Sequence, residues 1–152
     1  MKVDSLTLTV GAVLLAGAGA VAWNVVDPPA GGHSMVPPDT SGIAEGAPIV
    51  QVALPETLGD LEAVGKRAYE GVCAACHGVN AAGRNGVAPP LVHITYEPGH
   101  HGDESFWRAT QMGVQAHHWQ FGNMPAIEGL TRGDVKAITA YIRALQRENG
   151  IG

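Results

Sequence analysis

Residues 73–77 read Cys73-Ala74-Ala75-Cys76-His77 and hold both cysteines of the 152-residue chain. With only two Cys there is no disulfide framework and no four-Cys zinc site. A redox-active dithiol of this spacing belongs in a βαβ setting, which the flanking pattern lacks. What remains is covalent attachment of one c-type haem. Two thiols three residues apart at a helix end can each form a thioether with a vinyl group. The imidazole that follows then points at the iron.

The pattern around the motif is helical. Leu61, Val64, Ala68 and Val72 recur at 3–4 spacing and predict an amphipathic helix running into Cys73. Residues 83–90 read as loop. The stretch 103–112 predicts a short helix with an Asp start and Gly113 as its stop. Residues 122–129 are loop again. Thr131 and Asp134 form a capping box, and Val135, Ile138, Tyr141, Ile142 and Leu145 make one apolar face behind it. The expected fold class is all-α: three helices with long loops and no strand over residues 61–152. The chain holds only two Phe, three Tyr and three Trp, against 21 Gly and 10 Pro. That is little apolar material for a core, and a buried macrocycle would make up the shortfall.

From Gly65 to the C-terminus the sequence resembles a class I cytochrome c domain of the monohaem, His/Met-ligated, membrane-anchored bacterial type. The resemblance rests on Gly65 and Tyr69 ahead of the Cys motif, on Ala88-Pro89-Pro90-Leu91, and on Asn123-Met124-Pro125. Ala88 stands where the family's loop has Gly. The resemblance implies that Gly65 lets the C-terminal helix cross closely, with Tyr69 packing there against Tyr141 and counted among the cofactor-binding residues with Cys73, Cys76, His77, Pro89 and Met124. It implies that the Pro89 carbonyl accepts the Nδ1 proton of His77, orienting the ring and raising its basicity. It makes Met124 the second iron ligand. Met1 and Met35 lie outside the domain, and Met112 reads as a core residue. A bis-His iron using His117 or His118 is the alternative ligand set. Trp107, Trp119 and Phe121 are expected as pocket walls.

An iron with six ligands filled passes electrons but binds no substrate readily, and a thioether ligand favours Fe(II). The expected function is therefore a one-electron carrier rather than an enzyme. Its partners would be a redox protein donor and acceptor, with no nucleic acid and no small-molecule substrate. The alternative is the cytochrome subunit of a larger oxidoreductase or oxidase complex, linked to copper handling through its histidines.

Residues 6–26 carry no charge, and a helix of that length spans roughly 31 Å, about one hydrocarbon core. The expected organisation is a membrane anchor at 1–26, a flexible linker at 27–60 and the haem domain at 61–152. The competing reading is a secretory signal cleaved near Ala20-Val21-Ala22. The linker is rich in Pro, Gly, Ser and Thr, and as a coil would reach roughly 30–35 Å. Residues 49–54 within it are a short β-prone patch that could lie on the domain. The net charge of −5 arises from Asp27, Asp39, Glu45, Glu56 and Asp60. Charges in 61–152 balance, so the acidity marks the linker and no docking face. No basic patch suggests nucleic acid. Haem attachment in bacteria occurs outside the cytoplasm. The expected location is the bacterial inner membrane with the haem domain in the periplasm, or a soluble periplasmic protein after cleavage.

Seven histidines exceed what one haem requires. His93, His100, His101, His117 and His118 have no assigned role. His33 and Met35 read as linker residues. One His pair precedes the short helix and one follows it. Ten helical residues separate them by ~15 Å, so they meet only if a flanking loop folds back. If they do, His100, His101, His117 and His118 form a candidate second metal site for Cu or Zn.

Overall fold

The computed structural model describes residues 4–26 and 36–152. Met1, His33 and Met35 lie outside the described residues. The chain divides into two compact units, residues 1–33 and 34–152.

Among its described residues the first unit holds one helix, α1 (Ser5–Val26). Its stretch Ser5–Trp23 is long and apolar enough to cross a membrane, with a mean hydropathy of 1.9 and no buried residues. Asp4 caps it by accepting from the Thr7 N–H at 2.8 Å.

The second unit holds α2 (Asp60–Val72), the four-residue α3 (Ala74–His77), α4 (Asp103–Met112) and α5 (Arg132–Glu148), with 3-10 turns at Val79–Ala81 and Ile94–Tyr96. Among the described residues there is no strand, only the isolated bridges Arg84–Ala88 and Val114–Met124. The expected all-α class and its helices at 103–112 and after Thr131 are present. Thr131 accepts from the Asp134 N–H, and Asp134 in turn accepts from the Thr131 N–H.

The crossing of α2 and α5 makes the core. A Cβ at Gly65 would land on the Ala137 carbonyl, so the two backbones touch there. One turn on, Tyr69 and Tyr141 pack with ring centroids 5.6 Å apart. Tyr69, Tyr141, Ile142 and Leu145 are all fully buried, and each such side chain contributes about 1.5–3 kcal/mol of burial. Of the predicted α2 face, Ala68 packs on the core and Val72 lines the haem cavity, while Leu61 and Val64 are exposed; the buried positions are Gly65 and Tyr69. A hydrophobic periodicity cannot see a helix face whose contact is made by a glycine backbone and a phenol ring.

The linker also differs from expectation. Its described part does not hang free. Asn85 Nδ2 donates to the Ile43 carbonyl at 2.7 Å, and the Gly46 N–H donates to the Asn85 carbonyl at 2.8 Å. The Ile49 N–H donates to Ala82 at 3.1 Å. Asn149, just past α5, holds Ala53 by both its N–H and its carbonyl. Val52 and Leu58 pack on the core. Residues 36–59 are thus a strap on the haem domain. Their bonds run to loop backbone and to two Asn amides, which leave no periodic pattern to read.

Two buried polar side chains of α5 fix the loop before α4. Gln146 Nε2 donates to the carbonyls of Leu91 at 2.8 Å and Tyr96 at 3.0 Å. Arg143 donates to Tyr96 at 2.7 Å, to the Asp103 carboxylate at 2.8 Å and to the His101 carbonyl. This network seats His100 and His101 against the domain.

Candidate haem site

The Cys motif is built at a helix joint. Cys73 ends α2 and opens α3, and Gly78 closes α3 with a backbone φ of 76°. Tyr69 supports the joint from behind. Its hydroxyl donates to the Gly78 carbonyl at 2.8 Å, and it does not line the cavity in front of the motif. Tyr69, expected among the cofactor-binding residues, is therefore a positioning residue. Tyr141 steadies the same turn through the Asn80 side chain at 3.1 Å.

His77 Nδ1 donates to the Pro89 carbonyl at 2.9 Å, as the Pro89 assignment requires. Nε2 keeps its lone pair. Burial holds the imidazole below the usual histidine pKa, opposed by the Pro89 carbonyl, which favours the protonated ring. The Cys73 thiol is pushed up to about 11 by burial and then by Cys76. A redox dithiol needs the opposite, a stabilised thiolate.

In front of the motif lies a cavity of about 670 Å³, within the ~300–1,000 Å³ usual for cofactor sites. Cys73, Cys76, His77, Pro89 and Met124 all line it. So do Trp119 and Phe121, stacked at 5.7 Å. Trp107 does not; it sits under Arg132 with the guanidinium 5.4 Å from its ring. Phe106, the preceding residue, lines the cavity instead. Met112 is not core: it stands at the cavity rim, 70% exposed.

Met124 is held by the end of α4. The Val114 N–H donates to the Met124 carbonyl at 2.9 Å, and the Met124 N–H to Val114 at 3.0 Å. Gly113 makes this possible. Its φ is 71°, and a Cβ there would stand 2.5 Å from the Met124 carbonyl. The Ala116 N–H donates to Asn123 Oδ1 at 2.9 Å, and the Ile127 N–H to Thr110 at 2.8 Å. The loop is pinned on both sides of the methionine.

The donor set and the cavity fit a covalently bound haem. One thiol pair, one neutral imidazole with a free Nε2 and one thioether meet a single largely apolar space. Trp119 supplies a further sign. Its indole N–H is buried without a hydrogen bond; the Tyr96 hydroxyl interacts with it, but not at bonding geometry. A buried donor left over at a cavity wall suits an acceptor on the bound group. Sequence reasoning did not single out Phe106 or Arg143, and it took Gly113 only as a helix stop. Phe106, Ala109 and Gly113 recur at helical spacing, which marks the cavity-facing side of α4; Arg143 left no such signal.

The unassigned histidines come together. The segments before and after α4 fold toward each other. His100 Nε2 lies 3.2 Å from His118 Nε2. Ring centroids of His100 and His101 are 4.6 Å apart, and those of His117 and His118 are 4.3 Å apart. Burial, then the neighbouring His100, His117 and Arg143, lowers the His101 pKa against the Thr95 carbonyl. Burial, then His117, His101 and His100, lowers that of His118. His93 stands apart, its Nδ1 accepting from the Thr95 N–H at 3.2 Å and its ring edge-on to Trp119 at 5.1 Å.

An all-α domain with a Cys-x-x-Cys-His joint facing a cavity that a methionine also lines is the architecture of a haem-c electron-transfer protein. The sequence model of the Cytochrome c family matches residues 62–146, more than half of the chain, and the chain belongs to that family. Its cofactor is covalently attached haem c, its chemistry is haem-based electron transfer, and its partners are redox proteins. No curated protein matches the chain.

Proposed function

We propose that this protein is a membrane-anchored one-electron carrier. Cys73 and Cys76 hold the haem, and His77 and Met124 are its axial ligands. The haem supplies one-electron exchange at its iron. The chain's residues do the rest: Pro89 fixes the His77 ring, the Val114 bridge fixes Met124, and the apolar walls exclude water. The observation that carries the reading is the meeting of Cys73, Cys76, His77 and Met124 on one cavity. The bis-His alternative is weaker. His118 Nε2 is turned to His100, and Met124 is pinned by the Val114 bridge where it lines the cavity.

The helix α1 serves as a single inner-membrane span, with the haem domain in the periplasm. Confining the carrier to the membrane raises its effective concentration at membrane-bound donors and acceptors. The test is fractionation of cells expressing the full chain. Haem-stained protein of full length is expected in the membrane fraction, and only detergent should release it. A shortened, freely soluble periplasmic product would replace the anchor with a cleaved signal.

A further inference from the structure

We propose that His100, His101 and His118 form a binding site for one Cu(II) ion, with Zn(II) as the weaker competitor. The site stands at the edge of the haem cavity, whose lining includes His101 and His118, and it uses none of Cys73, Cys76, His77 and Met124.

The three side chains offer ligand nitrogens that all lie within 4.8 Å of one another. Two imidazole nitrogens bound at about 2.0–2.1 Å to one ion, at angles of 90–109°, lie ~2.9–3.4 Å apart. His100 Nε2 and His118 Nε2 are 3.2 Å apart. Bringing the third nitrogen to the same separation takes a side-chain adjustment, not a loop movement. His101 is already prepared for it. Its Nδ1 donates to the Thr95 carbonyl at 2.6 Å, which fixes the tautomer and leaves Nε2 free, as in built metal sites.

The ligands sit on braced segments. Arg143 and Gln146 pin the stretch from Tyr96 to His101 onto α5. His118 is followed by buried Trp119, whose ring is held between His93 and Phe121. His100 is exposed and His101 and His118 are half-buried, so an ion can enter from solvent. An all-imidazole set suits borderline first-row ions, and among divalent ions copper binds such nitrogen donors most tightly. His117 stands outside the set whose nitrogens lie within 4.8 Å of one another, its ring centroid 6.1 Å from that of His101.

Chelator-treated holoprotein is titrated with Cu(II) and, separately, Zn(II), then desalted and analysed for copper, zinc and iron. About one copper per haem iron is expected, with nitrogen hyperfine structure in the copper EPR spectrum. His118→Ala and His100→Ala should each weaken copper binding tenfold or more while the protein keeps its covalent haem. His117→Ala should keep it within about threefold. The proposal falls if the desalted wild type holds iron alone, if a His100→Ala/His118→Ala double variant retains copper undiminished, or if His117→Ala loses as much as His118→Ala. Should a variant lose haem, the wild-type EPR spectrum decides, since copper without nitrogen ligands overturns the site.

Discussion

At Gly65 the crossing of α2 and α5 depends on an absent methyl group. A side chain there meets backbone rather than the end of a flexible neighbour, so the helices must separate. Overpacking of this kind costs ~1–3 kcal/mol or more. Gly65→Ala is expected to lower the melting temperature of the holoprotein by roughly 5–15 °C, read by circular dichroism. An unchanged melt would show that the crossing is looser than described. Single residues were legible in unequal measure. Cys73, Cys76 and His77 could be located because their chemistry is tied to one short spacing, and Met124 through the family resemblance of Asn123-Met124-Pro125; the structure brings all four to one cavity. Tyr69 was read as a haem contact, but it acts through the Gly78 carbonyl. Trp107 was read as a wall, and Phe106 takes that place. One residue along a helix is a 100° turn, a distinction that residue type alone does not carry.

Among the elements, α5 was the most legible because its cap and apolar stripe agree. Its cap also sets a pH dependence. The Asp134 carboxyl is held below the ordinary 3.8, first by the Thr131 hydroxyl and then by the Thr131 N–H. A carboxyl whose folded pKa is depressed stabilises the fold above its unfolded value. That contribution is lost as pH falls below 3.8 and through the folded value. The first turn of α5 should therefore fray in acid. Asp134→Asn should flatten the dependence of melting temperature on pH in that window, and an unaltered slope would exclude the cap as its source. The strap at residues 36–59 was the least legible element. Its Pro- and Gly-rich composition resembles free linker, while its bonds to Asn85 and Asn149 are long-range. A haem domain beginning at Val36 should melt several degrees above one beginning at Asp60. Equal melting temperatures would mean that the strap adds no stability.

For the molecule as a whole, all-α architecture around one haem was readable because the chain is short of core residues and the Cys motif explains the deficit. The meeting of the two His pairs was not. It depends on the loops around α4 turning back, held by Arg143, Gln146 and the Val114–Met124 bridge. Those are tertiary contacts without a local signature. The bridge also places the iron-ligand candidate Met124 and the histidines His117 and His118 on one pinned loop, so axial ligation is the point on which the account turns. The most direct test is the absorption spectrum of ferric protein, wild type against Met124→Ala, followed by reduction under carbon monoxide. The wild type should show the weak far-red band of a thioether on ferric haem iron and resist carbon monoxide. Met124→Ala should lose that band and bind carbon monoxide when reduced. A wild type without the band, or a variant with the wild-type spectrum, would contradict ligation by Met124 and move the sixth position to another residue.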